Sequence, residues 1–260
     1  MHTGADPANP DLKVETVHAD ELSTSDRTQL LSLFDETYAE ANHDYLLASL
    51  ELLEWTGIAR NKEKLVGFAF GKAVKTDLPR FDEPQTVGLA GIACVSSDFR
   101  RGGLFSQLAV SAMSANGVLD SGKRFLLCGR MAHPASYRAV GRTSHNTVPT
   151  AGQKITPWHR EMLLRIAELY KVKVDLDTGR VFGKGRPIGY PRMDIDATKD
   201  ELETFSPVDG TKATASSPCH GCRTCRKGGW SEGLGVASMR LQPVSGSCSQ
   251  SPARRVNSTS

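Results

Sequence analysis

Apolar residues along the first half of the chain switch between two spacings, and each switch predicts an element. Residues 14–17, from Val14 to Val17, alternate as a short strand does. Ser23 to Asp26 then supplies capping residues ahead of Leu30, Leu31, Phe34 and Tyr38, whose three- and four-residue spacing predicts an amphipathic helix. Leu46, Leu47, Leu50, Leu53 and Trp55 continue a second helical pattern, and Gly57 is expected to end it through the left-handed backbone that glycine adopts at little cost. Residues 58–60 and 65–74 are apolar or alternating around the polar tip Asn61 to Lys64, the pattern of a hairpin. A proline-bearing loop over 78–84 leads to residues 87–95, a mostly apolar run that predicts a central strand covered on both faces.

Beyond that strand the period lengthens again. Leu104, Leu108 and Ala112 form one row and Phe105, Ala109 and Met113 another, and both fall on one side of a helix. Asn116 to Gly122 breaks the pattern, residues 125–128 form a short buried strand, and 133–140 a brief helix after Pro134. The predicted order is strand, two helices, three strands, helix, strand, helix. Further on, Thr156-Pro157 caps a helix marked by Trp158, Met162, Ile166 and Leu169, and Asp177-Thr178-Gly179 turns a hairpin between 172–176 and 180–182. Residues 199–205 read as a last short helix. From Ser206 onward Gly, Ser, Thr, Pro and basic residues dominate, a composition that cannot bury a core, so the tail is expected to be disordered.

These readings divide the chain into a flexible N-terminus over 1–12, a folded domain over 13–150, a helix-hairpin extension over 151–205 and the tail over 206–260. Composition narrows the class. With 39% hydrophobic residues and no apolar run near the roughly 20 residues of a spanning helix, the chain reads as soluble and globular, with no membrane partner. The N-terminus lacks a basic start followed by an apolar stretch, so a cytoplasmic location is expected. A net charge of +3 over 260 residues is too dilute for a nucleic-acid binder. Of the six cysteines, Cys94 and Cys128 sit in apolar strand-like runs and read as reduced core residues.

The segment GIACVSSDFRRGGLFSQLAVSAM carries the chemistry. Gly102 and Gly103 let the backbone turn tightly and approach a ligand, while the following helix points unpaired N–H groups and its positive dipole end at the same spot. Arg100 and Arg101 add charge-assisted donors suited to a diphosphate or a phosphate monoester. Glycines also serve such turns for purely steric reasons, so the pattern by itself leaves both readings open.

The run resembles the acetyl-CoA loop of the GCN5-related N-acetyltransferases (GNAT), in which Arg/Gln-x-x-Gly-x-Gly/Ala lies between a strand and a helix. Arg100, Gly103 and Phe105 occupy the three defining positions, Phe105 departing from the usual small residue. The element order over 13–145 is also similar to that family's. The resemblance implies an α/β (α+β) fold: a mixed, mainly antiparallel sheet flanked by helices, here with a C-terminal extension. It implies acetyl-CoA as cosubstrate and acyl transfer to a primary amine of a small molecule or protein. It also implies that the strand before the loop splays from its neighbour, with Ile92, Cys94 and Val95 pairing with the pantetheine arm. The pyrophosphate would then lie on the Arg100, Arg101, Gly102, Gly103 and Leu104 turn.

Direct attack of the amine on the thioester requires a base, an oxyanion donor and an acid for the departing thiolate. Residues 87–95 contain no acidic or histidine side chain, so a water relay or another element must serve as base. For the acid, HPASYRAVGR offers Tyr137, with His133 directed to the same region by topology. Cys94 has no cationic partner in the sequence to make it a nucleophile. Cys219, Cys222 and Cys225 form a Cys-x-x-Cys-x-x-Cys run with Cys248 as a fourth thiol, but the Ser, Gly, Arg and Lys around them offer no scaffold, and no metal is expected. Two alternatives stand beside the enzyme: an inactive acyl-CoA sensor on the same fold, and a metal-binding module in the tail. Residues 152–205 either cover the acceptor side or form a homodimer contact.

Overall fold

The computed structural model describes residues 4–6, 9–119, 124–131, 134, 136–138, 147–148, 154–182, 190–192, 198–200 and 233–240. Two strands, β1 (Gly4–Asp6) and β2 (Asn9–His18), open the chain, so residues expected to be a flexible N-terminus already take part in pairing. Helix α1 (Thr24–Thr37) starts where its chemistry predicts. The Asp26 N–H donates to Ser23 Oγ at 3.1 Å and the Ser23 N–H to Asp26 Oδ2 at 3.1 Å, a reciprocal pair that satisfies two otherwise orphaned donors. After a short strand β3 (Tyr38–Ala39), helix α2 (His43–Leu53) is capped by Asn42, whose Oδ1 accepts from the Tyr45 N–H at 3.2 Å.

The stop of α2 differs from expectation. Glu54, with φ of 66°, turns the chain, and Gly57 lies inside β4 (Trp55–Asn61). That glycine answers to a contact far away in sequence. A β-carbon at Gly57 would come within 2.5 Å of the Leu108 carbonyl oxygen, so its bare backbone is what lets a helix lie close against the sheet.

β4 turns through Lys62 into β5 (Lys64–Thr76), and β6 (Gln85–Val95) follows a loop. Helix α3 (Leu104–Ser114), strand β7 (Arg124–Met131), the short β8 (Thr147–Val148) and helix α4 (Pro157–Leu169) come next. The two-residue strands β9 (Lys173–Val174) and β10 (Val181–Phe182) form the expected hairpin, and β11 (Tyr190–Pro191) pairs with β3. Within the tail expected to be disordered, β12 (Gly233–Arg240) pairs with β7 along its whole length; the rest of 201–260 lies outside the described residues.

The main sheet has eight strands in the order β1-β2-β4-β5-β6-β7-β12-β8. Every neighbouring pair is antiparallel except β6 and β7, which run parallel because α3 crosses between them. This is the mixed, mainly antiparallel α/β architecture that the resemblance implies. Helices α1, α2 and α4 cover one face, burying Phe34, Leu50, Leu163 and Ile166 against Ile58, Phe68 and Phe70. Helix α3 covers the other, burying Leu104 and Leu108 against Ala59, Val66 and Ala69. Since α4 shares the first core, the segment read as an extension belongs to the same folded unit. Among the described residues no helix is long and apolar enough to cross a membrane.

Replacing Gly57 by Ala must push α3 off the sheet, because the group it strikes is backbone and cannot rotate away. Urea unfolding should show a loss of about 1–3 kcal/mol, the usual range for overpacking. An unchanged midpoint would mean that α3 rides higher on the sheet than its position against Gly57 requires.

Candidate functional site: a forked strand pair and a glycine turn

The parallel ladder between β6 and β7 is short. It pairs Val87 with Leu126, Gly88 with Leu127, Leu89 with Cys128 and Ala90 with Gly129, and then stops. Both strands continue past that rung, β6 through Gly91–Val95 and β7 through Arg130 and Met131, so the sheet opens there into two arms. The cause is local. On its other side β6 pairs Ala90 with Gly71 and Ala93 with Ala69, so two β6 residues, Gly91 and Ile92, oppose the single residue Phe70. That extra residue is a bulge, which bends a strand and strengthens its twist.

A one-residue insertion also exchanges the faces of everything beyond it. Val87 and Leu89 point into the α1/α2 core, and after the bulge it is Ile92 and Cys94 that do so, while Val95 packs with Leu104 and Leu108 under α3. Ile92, Cys94 and Val95 are thus 6%, 3% and 7% exposed. Their side chains are committed to the two cores, and only their backbone groups can meet a ligand in the fork.

The arm runs through Ser96 and a single 3-10 turn, Ser97–Phe99, into the two-glycine turn. Arg100 does not point outward as a free phosphate ligand: its Nε donates to the Val95 carbonyl at 2.9 Å and ties the turn back to the arm. Arg101 and Gly103 take positive φ values of 70° and 81°. A non-glycine residue in that region is strained, and such strain concentrates where a backbone must present its groups in one direction. A β-carbon at Gly102 or Gly103 would meet nothing within 4 Å, so the space before the turn is open.

Gly103 caps α3 without any side-chain bond, and the first helical turn holds no acidic residue. The first intrahelical bond inward from the cap runs from the Gln107 N–H to the Gly103 carbonyl at 3.1 Å, which leaves the Leu104, Phe105 and Ser106 amides for an outside acceptor. Arg101, Gly102 and Gly103 are exposed, Leu104 is buried and anchors the helix, and Phe105 stands 37% exposed beside the turn. Amides at a helix start of this kind can accept an anion.

The base of the fork holds a residue that sequence reasoning passed over. Tyr170, just past α4, is 3% exposed, and its hydroxyl lies 2.8 Å from the Ala90 carbonyl and 2.8 Å from the Cys128 carbonyl. Those oxygens belong to the two strands where their ladder ends. Burial, reinforced by the neighbouring Cys128, pushes the phenol well above its ordinary pKa, so it stays protonated. The signal that could have found it was its place at the end of the Trp158–Leu169 helical pattern, where an aromatic with a polar tip is expected to bury its ring and seek a partner.

Other candidates fall differently. Cys94 is a thiol, not a thiolate: burial pushes it up to about 12, against the opposing effects of a Thr37 hydrogen bond and Arg100. Cys128 is buried and pushed upward for the same reason, so neither is an activated nucleophile. Tyr137 lies half-buried in a short helical stretch, 136–138, soon after β7. His159 serves structure, its Nδ1 accepting from the Thr156 N–H at 3.3 Å in the cap of α4. A carboxylate reaches the end of the β6 arm from α1, where Ser96 Oγ donates to Glu36 at 3.0 Å. His133, Cys219, Cys222, Cys225 and Cys248 lie outside the described residues. Among the described residues no group of three or more His, Cys, Asp or Glu could hold a metal ion.

No family model and no curated protein matches the chain. Solved structures are similar to part of it. A structure of Arabidopsis thaliana Naa50 with a bisubstrate analogue is 14% identical, over 55% of this chain and 92% of that one, with a TM-score of 0.34. The diaminobutyrate acetyltransferase EctA of Paenibacillus lautus, in complex with its substrate and coenzyme A, is 18% identical over 62% and 78%, with a TM-score of 0.32. The NatC complex bound to Gag peptide and CoA is 17% identical over 55% and 87%, with a TM-score of 0.35. Likenesses of this size leave the reading of the site to its own geometry.

Proposed function

We propose that the protein is an acyl-CoA-dependent N-acyltransferase that moves an acetyl group from acetyl-CoA to a primary amine by direct attack. The observation that carries this reading is the fork: an extended β6 arm that continues beyond the last rung with β7 and runs into the amide turn at the start of α3. Five residues, Gly91 to Val95, span about 16 Å at about 3.3 Å per residue. An extended amide-bearing chain such as pantetheine can pair with that arm as a further strand would, and the anionic diphosphate at its end meets the Leu104, Phe105 and Ser106 amides. Arg101 supplies a cation at the surface of the turn, and Arg100 holds the turn to the arm.

The thioester then lies near the base of the fork, and the amine approaches from the α1/α2 face. As nitrogen bonds to the carbonyl carbon, the carbon–sulfur bond breaks and the thiolate needs a proton. The Tyr170 phenol supports that role better than Tyr137. It stays protonated, its proton is shared between two carbonyls that cannot remove it, and a thiolate is the stronger acceptor. The proton shed by the acylated nitrogen restores the phenol. With no acidic or histidine side chain on the β6 arm, the acceptor's first proton leaves through water. The same absence supports the second reading, an acyl-CoA sensor without turnover.

Calorimetry with acetyl-CoA tests the shared premise, and binding in the micromolar range is expected. Gly103→Glu should weaken it at least hundredfold, about 2.7 kcal/mol, by adding both strain at positive φ and a negative charge where the diphosphate sits. Equal affinity in the variant would move the anion site elsewhere. Release of coenzyme A thiol across a panel of primary amines then separates enzyme from sensor. Tyr170→Phe should keep acetyl-CoA affinity within a few-fold while lowering kcat by about 10²-fold, the usual worth of a general acid. If Tyr137→Phe, and not Tyr170→Phe, stops turnover, the acid is the residue first suggested by the sequence.

A further inference from the structure

One cation stands on the acceptor face of the fork, and it is not part of the turn. Arg130 is the first β7 residue beyond the last rung, Ala90–Gly129. Alternation along β7 places it on the same face as Cys128, the face of α1, α2 and α4, while Phe125 and Leu127 belong to the α3 side. Its guanidinium lies 4.5 Å from the centre of the Tyr45 ring of α2, a stacked geometry that holds a cation over an electron-rich surface. Residues two apart on a strand are about 6.6 Å apart. On the strand, then, Arg130 stands two residues beyond Cys128, whose carbonyl accepts from the Tyr170 hydroxyl, and its guanidinium is half-buried. Of the charged and titratable groups acting on that phenol, Cys128 on β7 is a neutral buried thiol, and Arg130 is the group that favours its charged form.

We propose that Arg130 is a positioning residue for the reaction: clamped on Tyr45, it places a positive charge beside the Tyr170 oxygen and stabilises the phenolate formed when that proton passes to the departing thiolate. The inference rests on the acyl-transfer reading. In the step concerned the nitrogen–carbon bond forms, the carbon–sulfur bond breaks and the phenol O–H proton moves to sulfur. The phenolate exists until the acylated nitrogen gives up its own proton. Nothing is oxidised or reduced, and the net products are the amide and free coenzyme A. A phenol raised by burial is a poor acid unless its conjugate base is stabilised, and a cation held on the same side of the fork supplies that stabilisation where charges are weakly screened. The guanidinium stays charged at any working pH, and its ring contact fixes its direction.

The test uses the full chain, hydroxylamine as a small neutral acceptor that needs no recognition pocket, and two donors. Acetyl-CoA has a thiol leaving group that needs a proton; acetyl-selenocoenzyme A has nearly the same shape but leaves as a selenolate that does not. Arg130→Met should lower kcat with acetyl-CoA by roughly tenfold, the equivalent of about one pKa unit in the acid. Calorimetric acetyl-CoA affinity and the hydroxylamine KM should stay put, and the loss should shrink to less than twofold with the selenoester. Arg130→Lys should recover most of the rate, and Tyr45→Leu, which removes the ring, should reproduce part of the loss. A loss equal for both donors, a change confined to acceptor KM, or Arg130→Lys as slow as Arg130→Met would overturn the role. So would full activity in Arg130→Met, which would leave the acyl-transfer reading intact. A wild-type protein that binds acetyl-CoA yet releases no thiol would overturn both together.

Discussion

Where the bulge in β6 parts the sheet, a single hydroxyl bridges the two strands. Past the Ala90–Gly129 rung, the Ala90 and Cys128 carbonyls stand where two strands have begun to separate, and a buried carbonyl without a donor costs free energy comparable to a lost hydrogen bond. Tyr170 reaches both at 2.8 Å, so the fork begins at a satisfied junction instead of fraying. Its position depends in turn on α4, which is seated by Met162, Leu163 and Ile166 in the main core and by Arg165, whose guanidinium donates to Thr76 Oγ1 at 2.7 Å and to the Asp77 carbonyl at 3.1 Å. The helix that looks peripheral in sequence holds the junction at the centre of the site.

Two further constraints set the arms. The bulge at Gly91–Ile92 bends β6 and exchanges its faces, so the strand seals both cores on the far side of the bend, where among the described residues its ladder with β7 has ended. On the opposite side of the sheet, glycines replace the side chains that would hold α3 away: at Gly57 a β-carbon would lie 2.5 Å from Leu108 O, and at Gly71 it would lie 2.8 Å from Met113 Cγ. The low seat of α3 brings its first amides level with the end of the β6 arm. The extended arm, the two-glycine turn and the start of α3 thereby follow one another directly. The β7 arm has its own support, since β12 pairs with Arg130 and Met131 after β6 has left them.

The division of charge follows from the same layering. The turn side carries Arg100, Arg101 and bare amides with no carboxylate in the first helical turn, whereas the α1/α2 side carries Arg130 over an aromatic ring beside buried, protonated groups. One side thus presents exposed backbone dipoles, and the other a buried phenol and thiol beside a half-buried guanidinium.

Much of this was legible in the chain. Ser23 with Asp26, and Thr156 with Pro157, marked helix starts that lie where local chemistry puts them, because capping is a contact between residues three apart. The apolar run over 87–95 and the Arg100–Gly103 turn declared a strand, a turn and a helix entry, since backbone freedom and helix dipoles are local properties. What local rules could not supply were the relations between distant segments. Gly57 was read as a helix stop when its neighbour is Leu108, and α4 as an add-on when Tyr170 meets Ala90 and Cys128. Arg130 lies beyond the strand that the sequence predicts over 125–128, and only the fold brings it over Tyr45 of α2. The sequence by itself determined the principal helices and strands, the caps and the two-glycine turn; only the tertiary structure added β1 and β12 to the sheet and decided which phenol and which cation lie at the fork, because hydrogen bonds and Coulomb forces act over ångströms in space and are indifferent to separation along the chain.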